Sequence, residues 1–269
     1  MSSRTTPLAT IVEAACRSGI RLGSALSAGF RSRPGPGVAR LEPEGGRRVL
    51  VVAPHPDDEV AGCAGALLLH REAGDEVRIV VATDGRRSRA GRLGEAEMAD
   101  RRRREATAAA ELLGASLTWL GLPEGGWEDE ELSTALRTEL TAFRPDVIYA
   151  PSRIDYHPGH RAVAAVLAGV VEESPAASAA RVRIYQVHVP LGRPLVNLVA
   201  DVDDRADGVV ALLRAHATQW ESLERTLRLR RYAAARHGLG GLAEEFREVS
   251  SARYAAAHRS VSTGEPPPF

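Results

Sequence analysis

The sequence predicts a three-layer α/β sandwich of the doubly wound kind, built on a mostly parallel sheet. Three observations lead there. Short runs such as "RVLVVA" (48 to 53) and "EVRIVVAT" (76 to 83) are rich in valine and isoleucine, the composition of strands covered on both faces. Segments of helical composition alternate with them, and a strand-helix-strand crossover implies parallel neighbours. Polar clusters follow the strands directly, and open parallel sheets bind their ligands at the carboxyl ends of strands.

Taken in order, residues 1–45 read as an N-terminal extension and linker. Leu8, Ile11, Val12, Ala15 and Ile20 fall near one face of an amphipathic helix, expected to pack on the domain or on another subunit, and "RPGPG" (33 to 37) ends it. Cys16, Arg17, Ser18 and Arg21 interrupt any apolar core, so neither a signal peptide nor a transmembrane span is expected. Residues 46–258 form the predicted domain. After strand 48 to 53, "VAGCAGALLLHREAG" reads as a helix stopping at Gly74, a plausible C-terminal cap. "EAEMADRRRREATAAAELLG" is a helix ending at Gly114, "SLTWLGL" a strand, "DEELSTALRTELTAF" a helix and "DVIYAPS" (146 to 152) a strand. Helix "GHRAVAAVLAGVVEE", strands "RVRIYQVHV" and "NLVADV", and helices over "ADGVVALLRAHATQ" and "LERTLRLRRYAAARHG" complete the body. A small antiparallel addition is expected near the last strands, and 259–269 reads as a disordered tail.

The composition of the 269 residues, 44% hydrophobic and 26% charged, is ordinary for a globular chain. Basic and acidic residues balance at 35 each, which gives no global electrostatic reason to expect nucleic acid or an anionic membrane as partner. All of the positive charge is arginine. Two cysteines, Cys16 and Cys63, make no disulfide framework, so a reducing, cytoplasmic setting is expected; Cys63 reads as a small packing residue.

Chemistry concentrates in "HPDDE" (55 to 59), "TDG" (83 to 85) and "DYHPGH" (155 to 160), each at or just past a strand's carboxyl end. His55 and Asp58 reach one metal ion from a tight turn, and a catalytic zinc needs one more protein ligand and an open position. His157 or His160 can supply it, leaving the other for acid-base work. Asp57 then faces the open position, where a carboxylate takes the proton from water made acidic by the metal. The remaining histidine, if protonated, stabilises the oxyanion and protonates the leaving nitrogen. Metal-assisted hydrolysis of an amide or ester follows. Glu59 is expected to be structural, and His70, His188, His216, His237 and His258 have no assignable partner.

"PHPDDE" after a hydrophobic strand, "TDG" after the next, the Arg102-x-x-Glu105 helix ending "LLG", and the late "HPGH" together resemble the LmbE/PIG-L family of zinc-dependent N-deacetylases, over residues 47 to about 165 with a weaker echo in "LAEEFREV" (242 to 249). The resemblance implies a Rossmann-like fold and removal of an acetyl or other acyl group from an amino sugar, typically an N-acetylglucosamine unit of a larger conjugate. It implies zinc on His55, Asp58 and His160, Asp57 as general base, His157 as electrophile or acid, and substrate contacts from Arg102 and the loop at Asp84. The family's late motif usually reads His-Pro-Asp-His, so Gly159 removes an acid beside the histidine pair but no metal ligand.

Within the enzyme class, amidases of the same fold on a thiol-sugar conjugate or an acylated natural product are the alternatives. A non-catalytic sugar-binding protein is the alternative from another class. Specificity is expected in loops 84 to 95, 121 to 128 and 190 to 196, with Trp127 and Trp119 the nearest aromatics. Ferrous iron is the alternative metal, and a homo-oligomer is compatible with the chain.

Overall fold

The computed structural model describes residues 37–188 and 190–262. The helix expected over 8 to 20 lies outside them, as does the tail from 263. The elements are β1 (Ala39–Arg40), β2 (Arg48–Ala53), α1 (Asp58–Glu72), β3 (Glu76–Thr83), α2 (Glu95–Leu113), β4 (Ser116–Leu122), α3 (Asp129–Phe143), β5 (Val147–Pro151), α4 (Pro158–Glu173), β6 (Arg181–Tyr185), β7 (Leu198–Asp201), α5 (Ala206–Ala215), α6 (Trp220–Arg236), β8 (Ala243–Ser250) and α7 (Ser251–Ser262).

The eight strands form one sheet in the order β1-β7-β8-β6-β5-β2-β3-β4. Every pairing is parallel except those of β8, which runs antiparallel between β6 and β7. This is the expected antiparallel addition. Alternation along β2 sends Val49 and Val51 into a core with α1, α2, α5 and α6, and Leu50 and Val52 into a second core with α3, α4 and α7. Three layers result.

Three boundaries differ from expectation. β1 lies inside the stretch read as linker, because two residues suffice to pair with the edge of β7. α7 continues to Ser262, past residue 258, and buries Tyr254 against the second core. β6 also stops at Tyr185, four residues before the end of "RVRIYQVHV", which frees Val187 and His188 to line a cleft.

Helix α1 owes its small residues to close approach. A Cβ on Gly62 would overlap the Tyr185 ring, and one on Gly65 would overlap Val202. Gly62→Ala is therefore expected to lower the melting temperature: overpacking costs about 1–3 kcal/mol, against a gain in helix propensity of about 1 kcal/mol. Thermal unfolding checks the sign. The "LAEEFREV" segment acts on the same helix. Glu244, buried and paired with Arg230, accepts from Gly65 N and Ala66 N, while Arg230 donates to Val60 O.

Candidate active site

β2 pairs with β3 on one side and β5 on the other, so the chain order reverses beside β2 and opens a crevice at its carboxyl end. The turn after β2 carries His55, Asp57 and Asp58; the segment after β5 carries Asp155, His157 and His160. A cleft of about 680 Å³ is lined by His55, Asp57, Asp58, Arg102, His157 and His160, with Glu124, Tyr156 and His188 beside them. A larger cleft of about 950 Å³ lies at the opposite ends of the strands, among Arg47, Arg48, Asp75 and Asp146, far from this cluster.

Asp58 sits at the centre of the cluster. Its Oδ2 is 3.0 Å from His55 Nδ1 and 3.1 Å from His160 Nε2, and it also accepts from His55 N at 2.9 Å. Tetrahedral zinc with bonds of about 2.0–2.1 Å separates its ligand atoms by roughly 3.3 Å. Two imidazoles and one buried carboxylate at nearly that spacing fit the ion. His55, His157 and His160 also offer nitrogens all within 4.8 Å of one another, as do the donors of Asp155, His160 and His188. Burial opposes charge on His160, but Asp58 and Asp155 outweigh it and raise the imidazole to about 10. Burial pushes Asp58 up, but His160 and His55 outweigh it and hold Asp58 well below the usual carboxylate range.

Asp57 caps the start of α1 with φ 130°, a conformation L side chains rarely adopt, costing on the order of 1–3 kcal/mol. The contacts around it supply that. Glu59 accepts from Asp57 N at 3.0 Å, and its other oxygen meets the buried His216 Nε2 at 2.9 Å. Arg102 donates to Asp57 Oδ1 at 2.8 Å, to Pro56 O at 2.5 Å and to Gly85 O at 3.2 Å. Gly85, at φ 64°, has to be glycine, since a Cβ would overlap the Arg102 guanidinium.

Burial pushes Asp57 up to about 6, while Arg102 pulls it down. A base is lost when protonated, so kcat/KM is expected to fall as pH drops below about 6. Arg102→Gln removes a lowering influence and moves that acid limb to higher pH; a pH profile of kcat/KM for both proteins checks it.

His157 caps α4: its Nδ1 accepts from Gly159 N at 3.2 Å, which leaves Nε2 to carry the proton of the neutral ring. Burial, then the neighbouring His55 and His160, lowers it to about 4. A neutral donor rather than a cation stands here. A Cβ at Gly159 would lie 3.2 Å from both His157 Nδ1 and His55 Nε2, so a larger residue would press on both rings. The nearby acid is Asp155, buried, which accepts from His157 N at 2.9 Å, lies 3.3 Å from His188 Nδ1 and 3.2 Å from His160 Nδ1, and thereby orients the His160 ring.

The other expected contacts fall differently. Arg102 spends its hydrogen bonds on protein atoms around Asp57. Asp84 is buried and accepts from Arg86 and from Glu124 N, fixing the loop that presents Glu124 to the cleft. Trp119 and Trp127 pack against the two cores, and the cleft's aromatic is the exposed Tyr156, 4.6 Å from the His188 ring. Loops 84 to 95 and 121 to 128 reach the cleft through Arg87, Ser88 and Glu124, whereas α6 replaces residues 190 to 196 as the third wall. Asp155, His188 and His216 were not singled out from sequence. An acid two residues before His157 was the one local signal.

The family profile described as PIG-L: GlcNAc-PI de-N-acetylase matches residues 50–171. The probable N-acetyl-alpha-D-glucosaminyl L-malate deacetylase 2 of Bacillus subtilis (strain 168) is 30% identical over 205 residues, 66% of this chain and 86% of that protein. The structure of the N,N'-diacetylchitobiose deacetylase of Pyrococcus horikoshii superposes with a TM-score of 0.69 at 26% identity, covering 77% of this chain and 85% of that one. The 4-carboxy-2-hydroxymuconate hydratase of Pseudomonas putida superposes with a TM-score of 0.65 at 25% identity, over 76% and 96%. With the strand-end motifs, the reversal beside β2 and the matched length in agreement, this chain belongs to the PIG-L (LmbE-like) family of de-N-acetylases.

Proposed function

We propose that the protein is a zinc-dependent hydrolase that removes an N-acetyl, or other N-acyl, group from a glucosamine-type sugar within a larger conjugate. The observation that carries this reading is Asp57, held by Arg102 beside the His55, Asp58 and His160 donors inside one cleft. Those three residues would hold the metal, zinc or alternatively ferrous iron. When bound, it supplies Lewis acidity that acidifies water and polarises the amide carbonyl. Asp57 takes the proton from the attacking water as its oxygen bonds to the carbonyl carbon. His157 donates from Nε2–H to the developing oxyanion, the electrophilic role that a neutral ring can fill. The C–N bond then breaks as Asp57 returns its proton to the leaving nitrogen, giving a free amine and a carboxylic acid whose remaining proton is lost to the amine or to solvent at neutral pH.

Arg102 and Asp84 serve the substrate through Asp57 and Glu124. Tyr156 offers a face for a sugar ring. The deacetylase relatives favour amino-sugar conjugates over the amidase alternatives, and a non-catalytic sugar binder has no need of a retained base. Two cysteines, one of them the free and buried Cys63, accord with a cytoplasmic enzyme. The test is acetate release from a panel of N-acetylglucosamine conjugates by zinc-reconstituted protein. Release from at least one conjugate is expected. No release from any by metal-loaded protein, together with hydration of an unsaturated carboxylate, would replace this reading with that of the hydratase relative.

A further inference from the structure

We propose that Glu124 is the positioning carboxylate of His55: facing its Nε2–H, Glu124 holds the ring with Nδ1 aimed at the point where the metal would bind. The inference rests on the ligand set of His55, Asp58 and His160 and adds to it a residue that does not itself touch the metal. His55 turns its two nitrogens to different partners. Nδ1 lies 3.0 Å from Asp58 Oδ2, and Nε2 lies 3.6 Å from Glu124 Oε1. A neutral imidazole that coordinates through Nδ1 carries its proton on Nε2. Metal-ligating histidines almost always give that second N–H to a carboxylate, a carbonyl or water, which fixes the tautomer and makes the coordinating nitrogen more basic. The side chains of His55 and Glu124 are only 9% and 17% exposed, so solvent screens the contact little.

The loops around Glu124 hold it in place for this. It follows β4, its N donates to Asp84 Oδ1 at 3.2 Å, and its Oε2 accepts from Arg87 N at 2.9 Å, which leaves Oε1 toward His55. Asp84 N in turn donates to Leu122 O at 2.9 Å, tying the ends of β3 and β4 together. The arrangement repeats at the other ligand ring: His160 has Nε2 3.1 Å from Asp58 Oδ2 and Nδ1 3.2 Å from Asp155 Oδ2. Each imidazole thus stands between Asp58 and an acid of its own. The first turn of α4 offers His55 no acid, and Gly159 stands there with its Cβ position 3.2 Å from His55 Nε2. The loop after β4 supplies from one side the charge that a carboxylate at 159 would supply from the other.

The test measures zinc affinity of the metal-free protein by competition with a chelator, before any substrate is added. Glu124→Gln is expected to bind zinc about 10–100-fold more weakly than wild type, while the metal-free proteins melt alike. Glu128→Gln, the same charge change at an exposed residue of the same loop, leaves the affinity as it was. Adding Gly159→Asp to Glu124→Gln restores affinity, because the new carboxylate approaches the same Nε2. A folded double variant without restored affinity overturns the inference. Where the double variant does not fold, the Nε2–H proton resonance of His55 in the zinc-loaded protein decides: an upfield shift in Glu124→Gln supports the inference, and an unmoved resonance overturns it. A Glu124→Gln variant that binds zinc as tightly as wild type and only raises KM overturns it too, and leaves Glu124 as a substrate contact alone. Asp58→Asn keeps the inference apart from the reading beneath it. Unchanged zinc affinity in Asp58→Asn removes the ligand set and the inference together, whereas zinc lost there but kept in Glu124→Gln removes the inference alone.

Discussion

Asp57→Asn is expected to lower kcat for acetate release by about 10²–10⁴-fold, the range for loss of a positioned general base, while bound metal and KM stay close to wild type. Asparagine is the informative replacement here. It matches the carboxylate in shape, tolerates positive φ better than most residues, and its amide oxygen can still accept from Arg102. Alanine would leave the buried Arg102 without its 2.8 Å partner, mixing a folding defect into the kinetics. Acetate release, metal content and melting temperature on one preparation separate the two effects. An Asn variant that keeps activity within about tenfold would move the base elsewhere, and Glu124, 3.6 Å from His55 Nε2, is the next acid in the cleft.

How much of this was legible in the sequence depended on whether the partners were local. The strands were legible because doubly covered strands are apolar throughout, and "HPDDE" was legible because acids after such a strand have no solvated surface to occupy. β8 is the contrast. "AEEFREVS" has charges at four of its eight positions, in two adjacent pairs, yet it lies inside the sheet because Glu244 and Glu245 pair with Arg230, Arg236 and His237, and Glu248 with Arg181 and Arg183. The histidines divide in the same way. His55 and His160 sit in motifs, whereas His216 meets Glu59 across 157 residues of chain. His70 lies between Asp75, five residues on, and Tyr149, with Arg183 also donating to its Nε2; only folding brings the latter two together. The α6 wall was invisible for a related reason: its periodicity announced a helix, but which face meets the cleft is set by packing against α1 and β8.

Asp58→Asn is expected to lose metal and activity together, whereas Asp155→Asn should weaken metal binding by about 10–100-fold and leave a site that refills at higher zinc. The difference follows from where each carboxylate stands. Asp58 Oδ2 lies between His55 Nδ1 and His160 Nε2, so its charge is what lets two buried imidazoles share one point. Asp155 lies 3.2 Å from the other nitrogen of His160, where in the proposed ligand set it would set the direction of the ring without binding the metal. Zinc titration of both variants, read by metal content and by recovery of acetate release, decides between the two donor groups that share His160. Equal loss in both variants would shift the metal toward Asp155, His160 and His188. In that arrangement Asp57, in the turn after β2, would no longer border the metal, and the hydrolytic geometry proposed for it would fail with the ligand set.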